Sequence, residues 1–332
     1  MNARERFHKL MTFEKVDRMP MIEWATWWDK TVDRWVGEGL VPEERAPLNN
    51  VEALHVQMGL DLHFQAWISF RTSKTPAPAY HGAPLVSTMA EYEAIKPTLY
   101  PEHPLNIERL KMFAEYQRRG EAIVWLTFDG PFWGPRTLLG IEPHLYAFYD
   151  EPELMHAINR DIAAFNMRVY QEVCAYVVPD FMTFAEDMSY NNGPMISEAL
   201  FDAFLLPYYD EQIPAIKARS TKVFIDSDGD ISEPLSWFHR AGIEGILPLE
   251  RQAGVDLLKL REQFPEFLFI GHYDKMVMNR GEAAMRAEFE RILPVMRQGG
   301  FIASVDHQTP PGVSLEQYGI YLRLLREYAE KI

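Results

Sequence analysis

Cysteine is almost absent from this chain of 332 residues: Cys174 stands alone. One thiol excludes an internal disulfide and any zinc or iron–sulfur centre built from several cysteines. Basic runs are missing too. The 33 Lys and Arg are outnumbered by 48 Asp and Glu, a net charge of −15, so nucleic acid and anionic membrane surfaces are poor partners. No apolar stretch approaches the ~20 residues that cross a bilayer. The opening MNARERFHKLMTFEKVDRMP is charged where a secretory signal has an apolar core. A cytoplasmic, soluble protein is the expectation. No G-x-G-x-x-G or P-loop follows any strand-like run, which weakens an open nucleotide-binding sheet.

What is present is a large apolar share, 47%, with eight Trp and twenty Phe, enough for a barrel-sized core. Short β-rich runs recur: MPMIEW (19–24), LDLHFQAW (60–67), AIVWLTFDG (122–130), DFMTFAEDM (180–188), KVFIDSDG (222–229), EGILPLE (244–250), FLFIGHYD (267–274) and FIASVDH (301–307). Helical patterns lie between them. Asp150 with Glu153 reads as a capping start, followed by Leu154, Ile158, Ile162, Phe165, Val169 and Val173 at steps of three and four. Cys174 lies at the end of that pattern, as a buried structural thiol. Ser197 opens a helix, Ser232 with Pro234 opens another, and Ser314 with Gln317 caps the last. Strands alternating with helices, without repeats or a polar linker, predict a parallel sheet. Count and length predict a single (β/α)8 barrel over residues 1–332 with an N-terminal helical extension.

The working face of such a barrel lies at the carboxyl ends of its strands. Acids crowd there: Glu23, Asp129, Glu186, Asp187, Asp226, Asp228, Glu250, Asp274 and Asp306, joined by His272 and His307. The stretch FIDSDGDISEP places Asp226, Asp228 and Asp230 two apart. It is not an EF-hand loop, because Ile231 stands where glycine is required and Trp237 where glutamate is. Strand alternation turns Asp226 and Asp228 to one side, Ser227 to the other, and leaves Asp230 to orient the following loop. The bland alternative is that such acids cap the next helices, and a lone histidine is more often core than ligand.

The segments RERFHKLMTFEKVDRMPM, DGPFWGPRTLLGIEPHLYAFYDEPELMHAI, EDMSYNNGPMIS, GHYDKMVM and TPPGVSLEQYGIYL, in that order, resemble the uroporphyrinogen decarboxylase superfamily. That superfamily includes the methylcobalamin:coenzyme M methyltransferases. The resemblance implies a (β/α)8 barrel. Its decarboxylase branch carries an arginine-rich segment where this chain has EWATWWDKTVDRW, so uroporphyrinogen itself is disfavoured as substrate. Its methyltransferase branch binds zinc through a His-x-Cys pair and a further Cys. Asp226, Asp228 and His307 occupy those positions here, implying zinc or a harder divalent metal.

The resemblance thus implies a methyltransferase moving a methyl group between a small substrate and a corrinoid protein or other carrier. Asp226, Asp228, His307 and Glu186 form the expected catalytic set, the first three also holding the metal. Glu23, Trp24, Trp27, Asp129, Asp187 and His272 are expected to bind substrate. Trp24, Trp27, Trp28 and Trp133 beside Glu23 and Asp129 suggest a cation such as a methylated amine, although core packing is the commoner fate of such tryptophans. The alternatives are a decarboxylase acting on an altered substrate, a glycosidase using paired carboxylates, and a non-catalytic binding barrel.

Overall fold

The computed structural model describes residues 1–332. Its strands are β1 (Leu62–Ile68), β2 (Ala122–Asp129), β3 (Phe181–Ala185), β4 (Ser189–Tyr190), β5 (Gly193–Pro194), β6 (Lys222–Asp226), β7 (Gly245–Leu247), β8 (Leu268–Tyr273) and β9 (Phe301–Val305). Seven form one sheet in the order β1-β2-β3-β6-β7-β8-β9, while β4 and β5 make a small antiparallel pair. The order follows the chain, with helices between successive long strands, as parallel pairing requires. The pairings β2–β3, β3–β6, β7–β8 and β8–β9 are all parallel. Strands β2, β3, β8 and β9 are buried along their whole length, which explains why they read as continuous apolar runs.

The sequence leads to eight strands and the sheet has seven. MPMIEW is the one left out of the ladder. Pro20 has no N–H to give, and the neighbouring backbone is satisfied elsewhere. Met19 N donates to Ala329 O at 2.9 Å, Met21 N to the Asp61 carboxylate at 2.8 Å, and Met21 O accepts from Asp61 N at 2.8 Å. A side chain and a helix end replace the ladder. The segment is nonetheless buried from Met19 to Glu23.

Two compact units divide the chain. The first comprises Met1–Phe64, Glu115–Ile123 and Gly245–Ile332, the second Gln65–Ala114 and Val124–Glu244. In the first, helices Glu282–Met296 and Leu315–Ala329 stack Phe289 on Tyr321 and Tyr328. Ser314 and Gln317 close the expected capping box, worth about 1 kcal/mol. The N-terminal extension is the helix Ala3–Leu10, capped by Asn2 and Glu5, with Phe7 buried. In the second unit, helix Pro152–Cys174 buries Leu154, Ile158, Ile162, Phe165, Val169 and Val173, the predicted stripe. Its start differs from expectation: Asp150 ends the preceding helix Ile141–Asp150 and Glu151 takes the cap position with no side-chain bond. Pro152 explains this, being preorganised for the first helical turn. Ser197 caps the helix Glu198–Phe204 as read. No helix is long and apolar enough to cross a membrane.

Candidate active site

Register brings the acids of the second unit to one level. Asp129 at the end of β2 pairs with Ala185 of β3, and Ala185 pairs with Asp226 of β6. Glu186 and Asp187 follow directly on β3, and both backbone N–H groups donate to Asp226 O. Glu186 is fully buried. Its Oε2 accepts from Phe132 N at 2.8 Å and Trp133 N at 3.0 Å, and its Oε1 accepts from the Tyr209 hydroxyl. Burial pushes its carboxyl up to about 8 against the opposing pull of those donors. Gly130 makes the fit possible: a Cβ there would lie 2.0 Å from Glu186 Oε1. Asp129 accepts from Trp67 Nε1 at 3.4 Å, and burial lifts it to about 6. Asp226 is raised well above the ordinary carboxylate range by burial, then by the charges of Asp187 and Asp228.

The acid-rich stretch ends in a turn built around Gly229. That residue has φ +84°, and a Cβ would meet the Ser189–Tyr190 backbone at 2.6 Å, so only glycine lets the chain pass β4 so closely. Ser227 is buried and its hydroxyl accepts from Met188 N at 3.2 Å. Asp230 orients the loop, its carboxylate accepting from Ser232 N at 3.0 Å. Arg136, on helix Trp133–Leu139 after β2, donates to Asp187 O at 3.1 Å and lies over the Trp133 ring at 5.2 Å.

In the first unit several expected ligand-binding residues turn out to be structural. Glu23 has 0% exposure. One oxygen accepts from the Ser304 hydroxyl and Val305 N, the other from the Tyr318 hydroxyl at 3.0 Å. Burial raises its carboxyl to about 7 while these donors lower it. A carboxylate so enclosed staples the 19–24 segment to β9 and has no face for a substrate. Trp27 is 6% exposed and packs against Trp35, His55 and Tyr318, so it belongs to the core. Trp28 precedes helix Asp29–Gly37 and is largely exposed. Trp133 has the Arg136 guanidinium over its ring. Trp24 is half-buried, donates to Val305 O at 2.6 Å and meets the His307 ring edge-on at 6.2 Å.

Asp274 caps the short helix Lys275–Arg280, and Asp306 binds Lys275 Nζ at 3.0 Å and Arg251 N at 3.1 Å. For these two the capping and tethering alternative is the right one. His272 is fully buried, with backbone φ 67°. Its Nδ1 meets Leu249 O at 3.0 Å and its Nε2 has no partner. A carbonyl only accepts, so Nδ1 carries the proton and Nε2 is a bare acceptor. Burial holds this imidazole well below its ordinary value, hence neutral.

One group of side chains has the donors for a metal ion. Asp228, Glu250 and His307 offer two carboxylates and an imidazole, and all three are half-buried. Two of these are residues read from the sequence. The third is Glu250, where the sequence reading has Asp226. The alternation argument for Asp226 runs out because β6 ends at that residue and the chain then turns through Gly229. Glu250 stands among the strand-end acids in the sequence, but neither spacing nor motif ties it to Asp228. One imidazole and two carboxylates, with no thiolate, suit zinc or a harder divalent cation. Tyr209 and Arg136 carried no sequence signal either.

A parallel α/β sheet with acids and a His–carboxylate group at its strand ends defines the general class. The family model for uroporphyrinogen decarboxylase matches residues 58–328. The chain belongs to that family. No curated protein matches it. Among solved structures, a methyltransferase from Methanosarcina mazei superposes with a TM-score of 0.68 at 14% identity, covering 99% of each chain. A protein from Listeria monocytogenes, described as a candidate vitamin-B12-independent methionine synthase, superposes with a TM-score of 0.50 at 13% identity, over 96% of this chain and 99% of that one. These likenesses are of fold.

Proposed function

We propose that the protein is a methyltransferase that moves a methyl group between a small substrate and a carrier, which we take to be a corrinoid protein, at a divalent metal held by Asp228, Glu250 and His307. The observation that carries the reading is this ligand group. The fold shared with the Methanosarcina mazei methyltransferase supports it. A bound cation would supply Lewis acidity to the atom that gives or takes the methyl group. The chain's own residues handle protons and position. Glu186, at about 8, is protonated in neutral solution. Oε2 already accepts two N–H groups, so the proton sits on Oε1, which accepts only from Tyr209. Asp129 and Asp226, both raised, add proton capacity, and Asp187 orients what they serve.

A second reading, decarboxylation of an altered substrate, is favoured by the family match itself, with Glu186 or Asp129 protonating the carbon that loses carbon dioxide. Uroporphyrinogen is not that substrate in our reading. The tryptophan-rich segment supplies Arg34, and that side chain is engaged by Glu38 and Pro311 O. The test is metal analysis of protein purified without chelator, followed by methyl transfer from methylated donors to reduced cobalamin. About one divalent ion per chain and methylcobalamin formation lost in Asp228→Asn support the first reading. Carbon dioxide release from carboxylated candidates without methyl transfer supports the second.

A further inference from the structure

We propose that Arg136 receives a carboxylate of the small-molecule ligand, so that the substrate is anionic. This rests on the reading above for the location of the site but not for the reaction.

Several arginines of this structure are engaged by carboxylates or carbonyls. Arg18 forks onto Asp61 and Arg286 onto Glu327. Buried Arg261 distributes its fork over the carbonyls of Pro265, Phe267, Gly299 and Gly300. Arg136 makes one hydrogen bond, to Asp187 O, and forms no ion pair. The guanidinium has five N–H donors in a fixed fork, so most of its capacity is unused. It is not loose: Trp133 supports one face and the Asp187 carbonyl holds one end. Half-burial has already stripped part of its water, which lowers its affinity for its own proton. Asp187 attracts this cation without forming an ion pair with it, and a planar bidentate carboxylate is the natural complement of a half-buried guanidinium.

Position agrees. The helix that carries Arg136 begins with Trp133, whose N–H holds Glu186. Asp187, which anchors the guanidinium, is the next residue along from Glu186. The unused donors therefore lie beside the acids that the mechanism employs. Asp187 meets Arg136 through its main-chain carbonyl and adds the attraction of its carboxylate, so an anionic ligand takes the free donors in competition with that charge.

The experiment titrates the full chain with benzoate, benzamide and benzyltrimethylammonium by calorimetry, with tryptophan fluorescence reporting on Trp133. Wild type should bind benzoate about tenfold or more tighter than benzamide, as expected for a charge-assisted bidentate contact. Arg136→Met should abolish that preference and leave benzamide binding and the thermal midpoint unchanged. Arg136→Lys, which keeps charge but not the fork, should retain part of it. Benzoate binding no better than benzamide in wild type, no benzoate binding at millimolar concentration, or tighter binding of the ammonium overturns the proposal. So does an equal loss for all three ligands in Arg136→Met while Arg136→Lys behaves as wild type towards benzamide. Titration needs no turnover, so failure of methyl transfer leaves this result to stand or fall alone.

Discussion

Replacing Tyr209 by Phe removes one hydroxyl from the centre of the acid cluster, and its consequence should depend on pH. The Tyr209 hydroxyl donates to Glu186 Oε1 and lowers the carboxyl, which burial has pushed from 4.5 to about 8. In wild type the folded value lies above the unfolded one. Stability therefore falls as pH rises from 4.5 and levels off beyond 8. A hydrogen bond to a charged group contributes about 1.5–3 kcal/mol against about 1 for a neutral one, and the pKa follows the difference, so its loss should move Glu186 to about 9. Near pH 6.5 Glu186 is protonated in both proteins, and the variant loses only a neutral hydrogen bond. At pH 9 wild type has passed its titration and the variant has not completed it. The variant should then be destabilised by roughly a further 1 kcal/mol relative to its deficit at pH 6.5. Urea unfolding of both proteins at the two pH values measures this difference directly. Equal deficits at pH 6.5 and 9 would refute the assignment of Glu186 as a carboxyl titrating near 8 under Tyr209's control.

Glu23→Gln should flatten the fall in thermal midpoint between pH 4.5 and about 7, because Glu23 is raised across that window; an unchanged slope in calorimetric scans counts against it. Gly130→Ala places a methyl 2.0 Å from Glu186 Oε1 and should cost about 1–3 kcal/mol by overpacking, read by denaturant midpoint. Glu250→Gln should lose bound metal about tenfold or more while Asp226→Asn keeps it, which metal analysis of both variants decides. Trp27→Ala should cost about 3–5 kcal/mol of stability, and the remaining folded fraction should bind small ligands as wild type does in calorimetry.

Several features of this protein are local in origin, and the sequence alone determined them. Apolar runs with β-branched and aromatic residues produced seven of the expected strands, because strand burial on both faces leaves a continuous signature. Ser197 and Ser314 mark helix starts through bonds that reach only three residues on. The family, too, was legible in short ordered segments. Acids at strand ends were visible as a class, since a strand's carboxyl end follows from where its apolar run stops.

Which acid does what is decided by contacts between residues far apart in the chain. Glu23 and Glu186 both sit at ends of apolar runs, yet Ser304, Val305 and Tyr318 enclose one while Phe132, Trp133 and Tyr209 hold the other. MPMIEW has strand composition but loses its ladder to Asp61 and Ala329. Composition sets how much apolar surface must be buried and roughly where. The partner of each buried polar group is chosen by tertiary packing, because a hydrogen bond or a ligand atom must be met within about 3 Å by whichever residue the fold delivers there.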